Sequence, residues 1–125
     1  MKRIILTEKA PKAIGPYSQA IEVNGALYIS GQVPVDPLTG TVVEGGIVEQ
    51  TEQVMKNIGA ILEAAGYNFS DVVKSTCLLS DMANFKQMNE VYGGYYAQGP
   101  PARVAFAVKE LPLGALVEIE TVAVR

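Results

Sequence analysis

One long amphipathic segment, residues 47–65, constrains the fold of this chain more than any other feature. Its apolar side chains recur at helical spacing: Ile47, Val54, Met55, Ile58, Ile61, Leu62 and Ala65. Gly66 follows at once, and glycine freely adopts the positive φ with which many helices end. The segment therefore predicts a helix over 47–65 with one apolar face, and that face requires a second layer to cover it.

Strand candidates precede this helix at residues 3–6, 20–24 and 26–30. Asn24-Gly25 separates the last two, and because both residues tolerate positive φ, a hairpin is predicted. A loop rich in turn residues, 36–40, leads towards the helix.

The second half of the chain repeats the alternation of strand and helix. Residues 71–80 form a strongly apolar strand candidate. Asn84, with Gln87 three positions later, resembles a capping box that begins a second helix. Pro100-Pro101 is expected to end that helix, because proline lacks an amide donor and fixes φ.

Two further strands are predicted at residues 102–109 and 116–124. Pro112-Leu113-Gly114 lies between them, so we expect a turn and an antiparallel pair. The order of elements indicates an α+β fold with a mixed or antiparallel sheet and two helices on one face. The strands are apolar on both faces, so a neighbouring subunit is the expected cover for the other face.

Length and charge limit the classes of partner. The chain has 125 residues, 49% of them hydrophobic and 18% charged, which suits a single globular domain over 1–125. A net charge of −3 and the absence of a basic cluster disfavour nucleic acid and anionic membranes.

Two features of the sequence indicate the cellular compartment. No apolar run reaches the roughly 18 residues of a membrane span, and the apolar stretch near residue 4 is too short for a signal peptide. The single cysteine, Cys77, lies in an apolar strand and is interpreted as a core thiol, which suits a reducing compartment. A cytoplasmic location is expected.

The chain contains no histidine. This excludes Ser-His-Asp and Cys-His nucleophile pairs and HExxH zinc sites. No CxxC, P-loop or GxGxxG motif is present. A metal site made of carboxylates alone stays open, although no DxDxDG-type spacing occurs. Acid–base chemistry would fall to carboxylates, lysine, tyrosine, backbone groups and water.

Arg103 and the pair Glu118 and Glu120 are the charged residues of most interest. Arg103 heads an apolar strand, where a guanidinium could hold a carboxylate through two hydrogen bonds. Position alone favours an arginine that reaches water or pairs with a structural glutamate. Glu118 and Glu120 share a sheet face and could position water, although a solvent-facing strand is the more frequent explanation.

Two loop motifs are weaker candidates. Tyr17 lies in a segment stiffened by Gly15-Pro16, where it could bind a ligand or pack at an interface. Ser30-Gly31 ends a strand, and glycine there permits close approach of a ligand or allows a bulge.

Three ordered motifs resemble the signatures of the RidA (YjgF-type) family. They are Ala-Ile-Gly-Pro-Tyr-Ser-Gln-Ala at 13–20, Ile-Ser-Gly-Gln-Val-Pro-Val-Asp-Pro-Leu-Thr-Gly at 29–40, and Pro-Ala-Arg at 101–103 followed by Val-Glu-Ile-Glu at 117–120. The resemblance spans essentially the whole chain.

The resemblance implies a chorismate-mutase-like protomer. Three protomers would form a homotrimer around a central sheet barrel, with ligand clefts between subunits. It implies hydrolytic deamination of 2-imino and enamino acids, such as 2-aminoacrylate and 2-iminobutanoate, to 2-oxo acids and ammonia. PLP-dependent dehydratases release these compounds. Neither metal nor cofactor is implied.

The resemblance also assigns roles to individual residues. Arg103 would hold the substrate carboxylate and Glu118 would position the attacking water. Tyr17, Ser30, Gly31 and Asn89 match other cleft positions. Ala105, a further substrate-binding position, stands where many relatives carry cysteine. The replacement argues against thiol-dependent activity, but deamination would be unaffected if this position acts through its backbone. These roles would reverse the structural interpretations of Arg103 and Glu118 given above.

Other functions remain open from sequence alone. The cleft could bind a 2-oxo acid without turnover, as a regulatory module. Ribonuclease activity is ascribed to some relatives, although the acidic charge balance and the missing histidine speak against it. A chaperone-like role for apolar surface is a third possibility.

Overall fold

A computed structural model describes residues 1–125 as an α+β protein. The strands are β1 (Arg3–Ile5), β2 (Ala20–Val23), β3 (Ala26–Gln32), β4 (Val35–Asp36), β5 (Thr41–Val42), β6 (Val72–Leu79), β7 (Ala102–Ala107) and β8 (Val117–Val124). The helices are α1 (Ile47–Ala65) and α2 (Phe85–Tyr95). Short 3-10 turns at Phe69–Asp71, Met82–Asn84 and Pro112–Gly114 complete the regular structure.

Six strands form one mixed sheet in the order β1-β2-β3-β8-β6-β7. All neighbours are antiparallel except β6 and β7, which run parallel. The predicted pairing of the last two strands is wrong, because β6 lies between β7 and β8. The connection through Pro112–Gly114 passes over a whole strand and is not a hairpin turn.

The hairpin predicted at Asn24-Gly25 is confirmed. Both residues have positive φ, 50° and 78°, as a two-residue turn between antiparallel strands requires. Strands β4 and β5 add a separate two-stranded hairpin around Asp36, whose carbonyl accepts from the Gly40 amide at 2.8 Å.

Helix α1 has the bounds that the apolar spacing predicts. Its buried side chains lie on one face, and Gly66 ends it with φ 82°. At its start, the Glu49 carboxylate accepts from the Gly46 amide at 2.8 Å. This bond satisfies a donor that has no partner within the helix. No helix of the protein is both long enough and apolar enough to cross a membrane.

The predicted start of α2 is wrong in detail. Asn84 has helical backbone angles and caps nothing with its side chain. Asp81 performs this role instead, because its carboxylate accepts from the Ala83 amide at 2.9 Å and begins a 3-10 turn that continues into the helix. The helix ends at Tyr95, so Pro100-Pro101 lies beyond its last turn.

The core lies between the helices and one face of the sheet. Residues of β8 alternate, with Val117, Ile119 and Ala123 fully buried towards the helices. The opposite face, called here the outer face, carries half-exposed apolar side chains on several strands: Ile4, Tyr28, Val104, Phe106 and Val124. An exposed apolar sheet face of this kind marks an interaction surface.

Candidate functional site

A cleft of about 460 Å³ opens on the outer face at the start of β8. Five of the residues singled out from the sequence line it together: Tyr17, Ser30, Gly31, Glu118 and Glu120. The rest of the lining is Ile14, Val33, Pro112 and Leu113. The cleft thus combines two carboxylates with apolar walls.

A register shift in β3 shapes this cleft. The pairing of β3 with β8 is irregular between Ile29 and Gln32, which sets Gly31 against the side chain of Glu118. A Cβ at position 31 would collide with the Glu118 carboxylate. Glycine is therefore required here for close approach, as the sequence motif indicated, and the bulge is also present.

A buried glutamine holds the loop that carries Tyr17. The Gln19 side-chain amide donates to the carbonyls of Thr7 and Pro11 at 3.0 and 2.9 Å, and its oxygen accepts from the Thr7 amide at 2.8 Å. The Ser30 hydroxyl donates to the Ser18 carbonyl at 2.6 Å. Sequence reasoning missed the role of Gln19, because a lone glutamine in a loop has no distinctive spacing.

The electrostatics of the cleft make Glu118 a stronger base than a free glutamate. Burial raises the pKa of Glu118, and the negative charge of Glu120 raises it further. Neither carboxylate forms an ion pair, since the only ion pair of the structure joins Arg3 to Glu22. A carboxylate without a cationic partner and with a raised pKa is suited to accept a proton from water.

The other predicted residues form a second group, between β7 and α2. Arg103 Nη1 donates to Asn89 Oδ1 at 2.6 Å. The guanidinium carbon lies 5.5 Å from the ring centre of Phe85 and 5.1 Å from that of Tyr92. Ala105 follows two residues later on the same face, opposite Cys77.

Arg103 has no acidic partner in its own chain. The structural glutamate that its position suggested is absent from its own chain, because Arg103 forms no ion pair and its side chain donates to Asn89. A half-buried guanidinium with free donors can bind an anion in the fork geometry that carboxylates fit. Cys77 below it stays a thiol, because burial raises its pKa to about 11 despite the nearby positive charge.

The two groups lie on opposite faces of the same sheet. Arg103 is opposite Ser75, and Ser75 is opposite Thr121, both of which are buried on the helix side. Glu118 is opposite Leu78 on the outer face. Because directly opposed residues share a face, Arg103 and Glu118 of one chain point away from each other. Sequence motifs could not show this separation.

No three His, Cys, Asp or Glu side chains come together in an arrangement that could hold a metal ion.

Comparison with known proteins gives a consistent result. A model of the family described as Endoribonuclease L-PSP matches residues 7–125. A RutC family protein of Pyrococcus horikoshii is 56% identical over 123 residues, 98% of each chain. The 2-iminobutanoate/2-iminopropanoate deaminase of Mus musculus is 52% identical over 125 residues, which cover 100% of this chain and 93% of the mouse protein.

A solved structure extends the agreement to three dimensions. The crystal structure of a Rid family protein from Yersinia pestis matches with a TM-score of 0.97 at 48% identity, over 100% of both chains. The fold and the two residue groups define a small α+β protein with an open carboxylate cleft and a separate unpaired arginine. The chain belongs to the RidA (YjgF-type) family, whose model bears the endoribonuclease description.

Proposed function

We propose that this protein is an imine deaminase that hydrolyses 2-imino and enamino acids to 2-oxo acids and ammonia. The mouse relative at 52% identity is named for this activity. The observation that carries the proposal is the unpaired Arg103 guanidinium, held by Asn89 with its remaining donors free for a carboxylate. The second support is the cleft in which Glu118 has a raised pKa.

A complete site on this proposal needs two chains. Arg103 and Glu118 of one chain face opposite sides, so a substrate held by one can reach the other only on a neighbouring subunit. Half-exposed apolar side chains such as Tyr28 and Phe106 on the outer face suit burial against such a neighbour. A homotrimer with three clefts, as the family resemblance implies, satisfies both requirements.

The proposed reaction is mild and needs no metal or cofactor. Arg103 holds the substrate carboxylate, which fixes C2 of the imine against Glu118 of the neighbouring subunit. An enamino acid first becomes the imine by gaining a proton at C3 and losing one from nitrogen. Water then adds to C2 as Glu118 accepts its proton, and the C=N electron pair moves to nitrogen, which receives that proton from Glu118. The resulting carbinolamine collapses to the C=O of the 2-oxo acid, and nitrogen leaves as ammonia. Orientation of the reactants supplies much of the acceleration.

A trapping assay tests the activity. Serine and a PLP-dependent dehydratase would generate 2-aminoacrylate, and semicarbazide would trap it in competition with the protein. We expect the wild-type chain to divert the imine to pyruvate and the Arg103→Ala variant, checked for equal oligomer size, to leave trapping unchanged. Trapping that wild type fails to suppress would contradict the deaminase proposal.

Mixing two inactive variants tests the two-chain cleft. Arg103→Ala and Glu118→Gln variants would be unfolded and refolded together. In mixed trimers one cleft in three pairs an intact arginine with an intact glutamate, so about a quarter of the wild-type activity should return at equal amounts. Activity that stays at the level of the separate variants would show that both residues act from one chain.

The alternative is a regulatory trimer that binds a 2-oxo acid without turnover. It uses the same arginine and cleft, and the name of the mouse relative favours the enzyme. Binding of 2-oxobutanoate that needs Arg103, combined with no effect on imine trapping, would favour the regulator.

The matching family is described as an endoribonuclease, so RNA binding is a further activity to test. The charge balance of −3 and a cleft lined by two glutamates oppose phosphate binding. A salt titration of RNA binding should show no affinity at physiological ionic strength.

A further inference from the structure

Helix α2 presents three residues to Arg103 from one face. Phe85, Asn89 and Tyr92 are spaced by four and three positions, so their side chains line up along the helix. Asn89 accepts one guanidinium hydrogen bond, and both rings lie within cation–π distance. Arg103 therefore has two rings near its guanidinium and one donor bound to Asn89, and its remaining donors form what is called here the free edge.

Tyr92 carries more than a ring. Its side chain is 5% exposed, and its hydroxyl is buried without a hydrogen-bond partner. A buried hydroxyl that lacks a partner costs free energy, so phenylalanine would be the better residue if packing alone mattered. The hydroxyl thus calls for a reason beyond packing.

Three other buried hydroxyls, those of Ser75, Tyr96 and Thr121, lie between the sheet and the helices. The Tyr96 ring packs against that of Tyr92, and Thr121 is directly opposite Ser75 on the next strand. Burial raises the pKa of both tyrosines, and Ser75 contributes an opposing effect that lowers it. All four hydroxyls are buried and lack defined partners. We name Ser75, Tyr92, Tyr96 and Thr121 the hydroxyl cluster. It lies on the helix side of the sheet, as Arg103 does.

We propose that Tyr92 is a positioning residue for Arg103, with its ring facing the guanidinium and its hydroxyl in the hydroxyl cluster. The Tyr92 ring is buried and packs with its centre 4.8 Å from that of Tyr96, and this packing holds the ring, and with it the guanidinium, in place. The free edge of Arg103 then points in one direction before a ligand arrives. Because a preorganised side chain loses less entropy on binding, carboxylates are held more tightly.

This proposal rests on the proposed function only for its substrate, and its test separates the two. Tyr92→Leu removes ring and hydroxyl, and Tyr92→Phe removes the hydroxyl alone. Tyr95→Phe is the matched control, because the Tyr95 hydroxyl donates to Glu52 of α1 at 2.7 Å and its ring makes no cation–π contact with Arg103. Oligomer size and thermal stability would be checked for each variant.

Two measurements give the answer. Calorimetry with 2-oxobutanoate should show affinity weakened on the order of tenfold in Tyr92→Leu, less in Tyr92→Phe, and unchanged in Tyr95→Phe. In imine turnover the loss should appear in KM rather than kcat, since ground state and transition state share the carboxylate.

The second measurement needs no ligand. The Nε–H resonance of Arg103, assigned with an Arg103→Lys sample, should be displaced by the two rings in the wild-type protein and return towards the free-arginine value in Tyr92→Leu. An assembled Tyr92→Leu variant with unchanged resonance and unchanged affinity would overturn the proposal. If wild type neither binds 2-oxobutanoate nor suppresses imine trapping, the proposed function fails, and the resonance alone decides the role of Tyr92.

Discussion

The carboxylate of Glu118 occupies the space that a Cβ at Gly31 would need. The bulge of β3 creates this contact, and no other glycine of the chain abuts a candidate catalytic group. We therefore expect Gly31→Ala to displace Glu118 and lower kcat about 10- to 100-fold, because misplacement by about 1 Å can cost that much. Stability should change little, since a flexible side chain can yield. Steady-state kinetics and thermal unfolding would measure both effects.

Gly93→Ala is the matched control for that substitution. Gly93 lies in α2, and a Cβ at this position would have no neighbouring atom within 4 Å. Alanine in a helix interior should raise the free energy of unfolding by about 0.5–1 kcal/mol and leave kcat unchanged. Equal kinetic losses in both variants would disprove the special role of the Gly31–Glu118 contact.

Glu120 should control the pH at which Glu118 works. The Glu120 charge contributes to the raised pKa of Glu118, so Glu120→Gln should lower that pKa. The proposed base is active when ionised, so the acid limb of kcat/KM should move to lower pH, with little change well above it. Glu63→Gln, an exposed α1 residue, removes the same charge far from the cleft and should leave the limb in place. If the acid limb of kcat/KM does not move in Glu120→Gln, Glu118 is not the titrating group.

Gln19 should be essential for the loop that carries Tyr17. Its side chain is almost fully buried and hydrogen-bonds several backbone groups, which would lose their partners if the side chain were removed. Gln19→Ala should lower the free energy of unfolding by about 2–3 kcal/mol. Gln98→Ala, in an exposed loop, should stay within about 0.5 kcal/mol of wild type. Urea denaturation would compare the two, and similar small changes in both would contradict this role.

Leu113 is a non-glycine residue with φ 61° at the rim of the cleft. This backbone conformation is unfavourable for leucine. Its side chain is 60% exposed, so burial of the side chain offsets little of the strain. Leu113→Asn should raise the free energy of unfolding by about 1 kcal/mol, because asparagine tolerates positive φ. Leu113→Val should lower the free energy of unfolding, because a β-branched residue tolerates positive φ least. If chemical denaturation shows that both substitutions change the free energy of unfolding in the same direction, backbone strain at position 113 is not the cause of the change.

Local features of the fold were predictable, and long-range ones were not. Helix 47–65 and the Asn24-Gly25 turn depend on neighbours in sequence, and the structure confirms both. The pairing of the last two strands failed, because strand order in a sheet depends on contacts that the local pattern does not encode. The start of α2 failed because Asp81, three residues before Asn84, provides the cap.

The candidate site shows the same division. Motif resemblance named Tyr17, Ser30, Gly31 and Glu118, and the structure brings these four to one cleft. It named Arg103 and Asn89 as well, and they are hydrogen-bonded. Their place on the opposite face follows only from the registers of β6 with β7 and β8, which pair residues far apart in the sequence. The sequence assigned no role to Gln19, although it lies in the first motif, or to Tyr92, because the importance of both depends on the residues that surround them.

The opposite orientation of Arg103 and Glu118 makes the proposed activity depend on how much protein is present. A dissociated chain can be fully folded and still contain no complete site. Near the dissociation limit of a trimer, complete sites would vary with roughly the third power of the monomer concentration. A fully diluted sample would then lose turnover steeply while its circular dichroism stayed constant.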